Sequence, residues 1–394
     1  MAKSKMSIDA RFEYLRRMQK LYRKANKPER SRLLDTMEDV TGLGRKYLIG
    51  QMGKPDLMRR ARRRERGRVY DAEVAGAIKT IATTLDWVCA ERLQPVLREM
   101  ADCLIAWEEM EASPVVLDKL ERISVSSVER ILHEIRPAHQ RPRVYRGRRS
   151  ETLAQRQIPV SVIPWDESEP GHFEVDLVHH GVPDENGNLI YTIQFICVLT
   201  GWSERFAIMG HEADTMWKAI QTFKEHCPIP VREIHSDNGS EFINWPLIAA
   251  FGEEMVDTIQ TRGRPGQSND ARFVEQKNSS LVRAYLGTLH LHTKEQRDQL
   301  NALYELMWLY YNFFQPVLRQ VDRSVARGAD GIVRVRRKQD RARTPLVRLL
   351  EATPPISREM QERLLALREQ TNPADLNRCI HHHLGVLHAA ATAP

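Results

Sequence analysis

Residues 232–242 read REIHSDNGSEF. Ile234 and His235 lead into Ser236, and Asp237 is followed at once by Asn238, Gly239 and Ser240. Such residues end strands and cap helices, because their side chains bond nearby backbone and Gly permits positive φ. This local chemistry predicts a strand that ends near Ser236. Whether Asp237 is more than a cap depends on what the rest of the chain brings beside it.

Working outward, residues 172–180 (HFEVDLVHH) alternate, with Phe173, Val175 and Leu177 on one face and Glu174, Asp176 and Val178 on the other. The turn-forming DENGN (184–188) separates this strand from a continuous apolar one, LIYTIQFICVLT (189–200), so the two should form a hairpin. A third strand follows Gly201 in SERFAIMG. Then come a helix over about 212–226, the strand VREIHS, a helix over about 240–252, a short strand VDTIQT and a helix from about 271. The order βββαβαβα implies a mixed sheet with helices on both sides.

Asp176 falls in mid-strand, where Asp is disfavoured and costly to bury unpaired. In this strand order its strand and the one ending at Asp237 can be central neighbours, which would bring both carboxylates to one cleft. The helix ARFVEQKNSSLVRAYLG (271–287) offers Glu275 as a third acid, with Phe273, Val274, Leu281 and Val282 available for packing. Three converging carboxylates repel one another unless hard cations lie between them, and Mg²⁺ suits an oxygen-only site. Two such ions about 3.5–4 Å apart activate a nucleophile and stabilise a leaving oxygen, so the implied chemistry is phosphodiester cleavage or transfer.

Ahead of this region the chain reads as helical. Phe12, Leu15, Met18 and Tyr22 share a face; residues 29–52 then give a helix through Leu33, Leu34, Met37 and Val40, a break at TGLG, and a short helix with Tyr47, Leu48 and Met52. This is a helix-turn-helix pattern in which Arg45 and Lys46 open the helix that would meet DNA, although an ordinary helical hairpin fits too. A second candidate lies in 117–135, where Leu117, Leu120 and Ile123 precede a break at SVSS and a helix with Val128, Ile131 and Leu132.

Basic runs separate these patterned regions. Residues 54–68 hold eight basic residues against Asp56 and Glu65, 141–149 hold five arginines and no acid, and 323–343 hold eight basic residues against Asp330 and Asp340. Such segments suit a polyanion, and Arg59, Arg60, Arg62, Arg63, Arg64 and Arg146 join Arg45 and Lys46 as candidate DNA contacts. Solvated linkers are the plainer alternative.

EVDLV around Asp176, HSDNGSEF around Asp237 and FVEQKN around Glu275, with 60 and then 37 residues between the acids, resemble the DDE motif of retroviral integrases and bacterial insertion-sequence transposases. The resemblance spans about 168–318, including YYNFFQP (310–316), and the helical front end is similar to that of the same transposases. It implies a multidomain chain: a helix-turn-helix domain (1–53), a basic linker (54–68), a second helical DNA-binding domain (69–139), an Arg-rich linker (140–167), an RNase H-like α/β catalytic core (168–318), and a basic arm with C-terminal helices (319–394). It further implies catalytic and metal-binding roles for Asp176, Asp237 and Glu275, with two Mg²⁺ ions or Mn²⁺ in their place. The expected partner is double-stranded DNA, both terminal inverted repeats and target, bound by a homo-oligomer. The front end lacks the HHCC arrangement of an integrase zinc domain, and the 37-residue spacing slightly exceeds the common 35.

Other residues compete for these roles. Glu241 lies four positions beyond Asp237, but a place in the first turn of a helix would account for it. Asp270, in GQSND, reads as a loop and N-cap residue. Lys277 and Asn278 follow Glu275 and would either touch DNA or form an exposed helical face. His235 is an outer contact of the site or a satisfied strand residue, Gly263 and Gly266 suit a mobile loop, and Trp308, Tyr310, Tyr311, Phe313 and Phe314 read as core. The run His381–His383 lacks partner ligands and reads as a solvated helix end.

Five widely spaced cysteines without a CxxC pair argue against a disulfide framework. No run approaches ~18 apolar residues, so no membrane span is expected. The expected setting is the bacterial cytoplasm, at the nucleoid when DNA is bound. Two rival functions remain: a purely hydrolytic nuclease of the same fold, and a DNA-binding regulator that has lost catalysis.

Overall fold

The computed structural model describes residues 6–57, 69–136, 158–159, 161, 163–164, 167–237, 241–264, 272–327 and 333–392. The chain divides into two compact units, Met1–Val69 and Tyr70–Pro394.

Among the described residues the first unit holds three helices: α1 (Ile8–Lys24), α2 (Lys27–Thr41) and α3 (Arg45–Met52). A capping box between Asn26 and Glu29 opens α2, and Gly42 ends it in the left-handed region at φ 66°. That glycine is the physical content of the TGLG break. Leu15, Leu34, Met37, Leu48 and Met52 bury their side chains between the helices, as the helical periodicity requires.

The second unit opens with α4 (Ala72–Thr84), α5 (Ala90–Leu93), α6 (Leu97–Ala106), α7 (Pro114–Arg122) and α8 (Val125–Ile135). Only Ile123 and Ser124 separate α7 from α8, a shorter break than SVSS suggested. Ser124 accepts from Ser127 N and caps the next helix directly, while Ile123 stays buried.

Five strands follow: β1 (His172–His179), β2 (Ile190–Cys197), β3 (Ser203–Met209), β4 (Glu233–Ser236) and β5 (Ile259–Arg262). Their order is β3-β2-β1-β4-β5, antiparallel across the first three and parallel from β1 to β4 to β5. Helix α9 (Ala213–His226) joins β3 to β4, and α10 (Trp245–Glu254) joins β4 to β5. A helical N-terminal region followed by this mixed sheet is compatible with an RNase H-like core. Phe223 of α9 stacks on Phe195 at 3.9 Å and meets Phe173 edge-on at 4.9 Å, which closes one face of the sheet.

The chain continues through α11 (Arg272–Lys277), a π-helical turn (Asn278–Arg283), α12 (Ala284–Leu286) and α13 (Lys294–Phe313). An antiparallel pair, β6 (Gln320–Arg327) and β7 (Val333–Gln339), takes up much of the third basic run, before α14 (Pro345–Leu350), α15 (Arg358–Glu369) and α16 (Pro373–Thr392). Asn312 bonds both the N–H and the carbonyl of Ser203 at 2.9 Å, and the Trp202 and Trp308 indoles both donate to buried Glu204. These contacts dock α13 on β3. Tyr310, Tyr311, Phe313 and Phe314 are at most 2% exposed, so they are core, as expected. One hydrophobic cluster runs from α4 through the sheet to α16.

Asp86 knots this unit together. Lying at φ 49°, it accepts from His381 Nε2 at 2.8 Å, Asn377 Nδ2 at 3.0 Å and the Tyr285 hydroxyl. His381 is therefore a structural partner, in contrast to the solvated helix end expected of the histidine run. Its hydrogen bond to Asp86 raises its pKa. Burial pushes Asp86 up, but the bonds from His381 and Tyr285 outweigh it and leave the carboxyl lowered. The histidine's contribution to stability is complete below its ordinary value near 6.5 and is lost as pH rises through its raised value. Asp86 contributes above its ordinary value of 3.8, and that part is lost as pH falls through its lowered value. His172 beside Glu233 and His226 beside Glu204 act with the same sign as His381. The urea midpoint is thus expected to fall as pH rises above 6.5, and His381→Gln should flatten part of that decline; an unchanged slope in the variant would refute the role of this pair.

Candidate active site

The register between β1 and β4 places the first two acids. Glu174 faces His235 and Val175 faces Ser236 on the parallel neighbour, so Asp176 and Asp237 come next, side by side, where β4 ends. The strands meet at Gly171, whose carbonyl accepts from Arg232 N and Glu233 N at 2.9 and 3.1 Å. Gly171 adopts φ 112°, and a Cβ there would lie 2.5 Å from the Pro230 carbonyl, so this approach requires glycine. Asp237 is exposed and Asp176 half-buried.

Glu275 arrives on a helix that β1 grips at both ends. The fully buried Glu174 accepts from Phe273 N at 2.6 Å and Val274 N at 2.9 Å, two donors that the helix itself leaves unused. At the other end Asn278 Nδ2 donates to Asp176 Oδ2 at 2.6 Å, while Leu177 N donates to Asp176 Oδ1 at 2.9 Å. Glu275, half-buried, lies between these fastenings. Bonds to a carboxylate are among the stronger hydrogen bonds in proteins, so the clamp fixes which turn of helix faces the strand.

Asp176 and Asp237 are thus neighbours on adjacent strands, and the helix carrying Glu275, the third acid, is fastened against the first of these strands. Their oxygen-only donor set suits a hard divalent cation. Among the described residues, however, no three His, Cys, Asp or Glu side chains stand close enough together to hold a metal ion. The backbone sets Asp176 beside Asp237 and fastens the Glu275 helix to β1, and the side chains of the three acids form no chelate.

Asn278 is 1% exposed and turned to Asp176, neither on an exposed face nor directed outward. Lys277 is half-buried, with Nζ 5.0 Å from the Tyr311 ring centre. Burial, and then the charges of Arg92, Arg348 and Arg205, pull its pKa down to about 7. His235 is fully buried and pairs Nδ1 with Thr261 Oγ1 at 2.9 Å. Glu241 precedes α10 by four residues, and Asn244 caps that helix; the helix dipole therefore does not explain Glu241. In the first unit Lys46 is exposed, whereas Arg45 bonds Asp35 and the Ser31 hydroxyl, joining α3 to α2. Arg59, Arg60, Arg62, Arg63, Arg64, Arg146, Asp270 and Gly266 lie outside the described residues.

Glu174 is the member of this site that sequence reading missed. Its signal was present: two residues before Asp176 on an alternating strand, it shares that acid's face. What the alternation does not reveal is that this face is covered by a helix about a hundred residues further on.

No protein-family model matches the sequence. The chain is similar to the uncharacterized protein y4rM of Sinorhizobium fredii (strain NBRC 101917 / NGR234), with 28% identity over 313 residues that cover 79% of this chain and 88% of that protein. Among solved structures it matches the catalytic core domain of BIV integrase, at 19% identity and a TM-score of 0.27, covering 36% of this chain and 83% of that one. Among the described residues no helix is long and apolar enough to cross a membrane.

Proposed function

We propose that the chain is a DNA strand transferase of the DDE type, a transposase that binds the ends of a mobile element, cuts them and joins them to target DNA. One observation carries this reading: strand register sets Asp176 beside Asp237, and the same strand clamps the helix that presents Glu275. Asp176, Asp237 and Glu275 would hold two divalent ions, Mg²⁺ or Mn²⁺, which supply Lewis acidity to an attacking and a leaving oxygen. Glu174 and Asn278 orient two of these acids. The three-helix unit, with exposed Lys46, would bind terminal repeats, helped by the basic segments. Joining two ends at once calls for a homo-oligomer on DNA.

The test supplies the full-length protein with Mg²⁺, a labelled duplex carrying the element's terminal repeat with a free 3′-hydroxyl, and a supercoiled target plasmid. Label joined to the plasmid is expected. Cut duplex without joined product would indicate a hydrolytic nuclease, and binding with neither cutting nor joining would indicate a DNA-binding regulator.

A further inference from the structure

Gln194 on β2 stands in register between Asp176 on β1 and Arg205 on β3, so the three side chains share one face of the sheet. Gln194 is fully buried, and neither atom of its amide has a hydrogen-bond partner among the described residues. Arg205 is 5% exposed; its Nη1 reaches the Leu281 carbonyl of the π-helical turn at 3.5 Å, and its Nη2 has no partner among the described residues. Its guanidinium carbon lies 6.0 Å from the centre of the Tyr311 ring, and Lys277 Nζ lies 5.0 Å from the same centre. The Tyr311 hydroxyl is likewise buried, with no partner among the described residues.

Arg205 and Lys277 thus both lie against one aromatic ring, and among the described residues no carboxylate forms an ion pair with either. Arg92 and Arg348 add positive charge, although Arg92 Nη2 is engaged by Gln315 and Arg348 Nη1 by Asp340. Buried guanidinium and amide groups are costly without acceptors, and native interiors rarely leave so many in one place. What satisfies them must be small, rich in acceptors and negative. A tetrahedral oxyanion meets all three conditions, and the guanidinium fork matches its edge.

We propose that Arg205, Gln194, Tyr311 and Lys277 form a phosphate-binding site beneath the π-helical turn. Arg205 and Asp176 are separated by two interstrand spacings, about 10 Å. A phosphate held there would neighbour the one reacting at Asp176 if the ligand is a DNA strand, a source that rests on the proposed function. A free phosphate ion needs no such premise.

Equilibrium dialysis of the full-length protein against radiolabelled orthophosphate, at ionic strength held constant with NaCl, tests the site. Saturable one-to-one binding is expected. Lys277→Met, at a half-buried position that tolerates an apolar stem, should weaken it at least about tenfold, and Arg205→Met should abolish it. Adding duplex DNA then separates the sources: release of label identifies a backbone phosphate as the ligand, and retention identifies the free ion. Failure to bind orthophosphate saturably, or equal binding by wild type and Lys277→Met, would overturn the site and leave its donors to water. Phosphate binding without any strand joining would instead refute the transposase reading and leave the site standing.

Discussion

Asp237→Asn is expected to leave terminal-repeat binding and the urea midpoint unchanged while Mg²⁺-dependent strand joining falls by at least about a thousandfold, some 4 kcal/mol of barrier. Stability is spared because Asp237 is exposed and lies just past the end of β4, where the isosteric amide disturbs no packing. Chemistry is not spared, because the amide keeps the shape but removes the negative charge that would hold a divalent ion beside Asp176. A gel-shift titration and the joining assay, run on the same preparation, check both halves. Joining within about tenfold of wild type would sink the catalytic assignment, whatever the fold.

Glu174→Ala should show the opposite balance, a loss of stability first and of activity through it. Two hydrogen bonds to a charged acceptor disappear, each worth about 1.5–3 kcal/mol, and the N–H groups of Phe273 and Val274 lose their partner inside the protein. Relief from burying a carboxylate offsets part of this, so the net loss is expected to be about 2–4 kcal/mol, read as a lower urea midpoint. Glu174→Gln keeps an acceptor in place and should cost about 1 kcal/mol, the difference between charged and neutral bonds. Hydrogen exchange gives the direct readout, since the amides of Phe273 and Val274 should exchange faster in the alanine variant and regain protection with glutamine. Unchanged exchange at both amides in Glu174→Ala would show that the clamp does not hold the Glu275 helix.

Together these variants divide the site into acids that carry the proposed chemistry and a buried acid that positions one of them. His381 belongs to neither group. It joins the last helix to Asp86, which Tyr285 also bonds, and its effect should appear in the pH dependence of stability.

Much of this organisation is encoded in short stretches of sequence. The alternation of HFEVDLVH, the apolar run of β2 and the turn chemistry after Ser236 each depend on neighbours within a few residues, so the five strands could be placed from sequence with no end shifted by more than three positions. Asp176 in mid-strand and Asp237 at a strand end were legible for the same reason. The helix between β4 and β5 was legible too, but its start was not, because SEF after Gly239 resembles a helix start, whereas Asn244 provides the cap and the helix begins at Trp245. The break between α7 and α8 was overestimated because serine serves equally well in a loop or as a cap.

The order of the elements, the candidate acids, and the mid-strand place of Asp176 and the strand-end place of Asp237 thus follow from the sequence alone, since periodicity and turn chemistry are local properties. Only the tertiary structure decided that Glu174 fastens the Glu275 helix, that Asn278 turns inward to Asp176, and that Arg205 and Lys277 share the Tyr311 ring. Each of those contacts except that of Lys277 with Tyr311 joins residues roughly a hundred positions apart. Which polar group is buried, and against what, is set by packing free energy summed over the whole unit, and no local pattern carries that information.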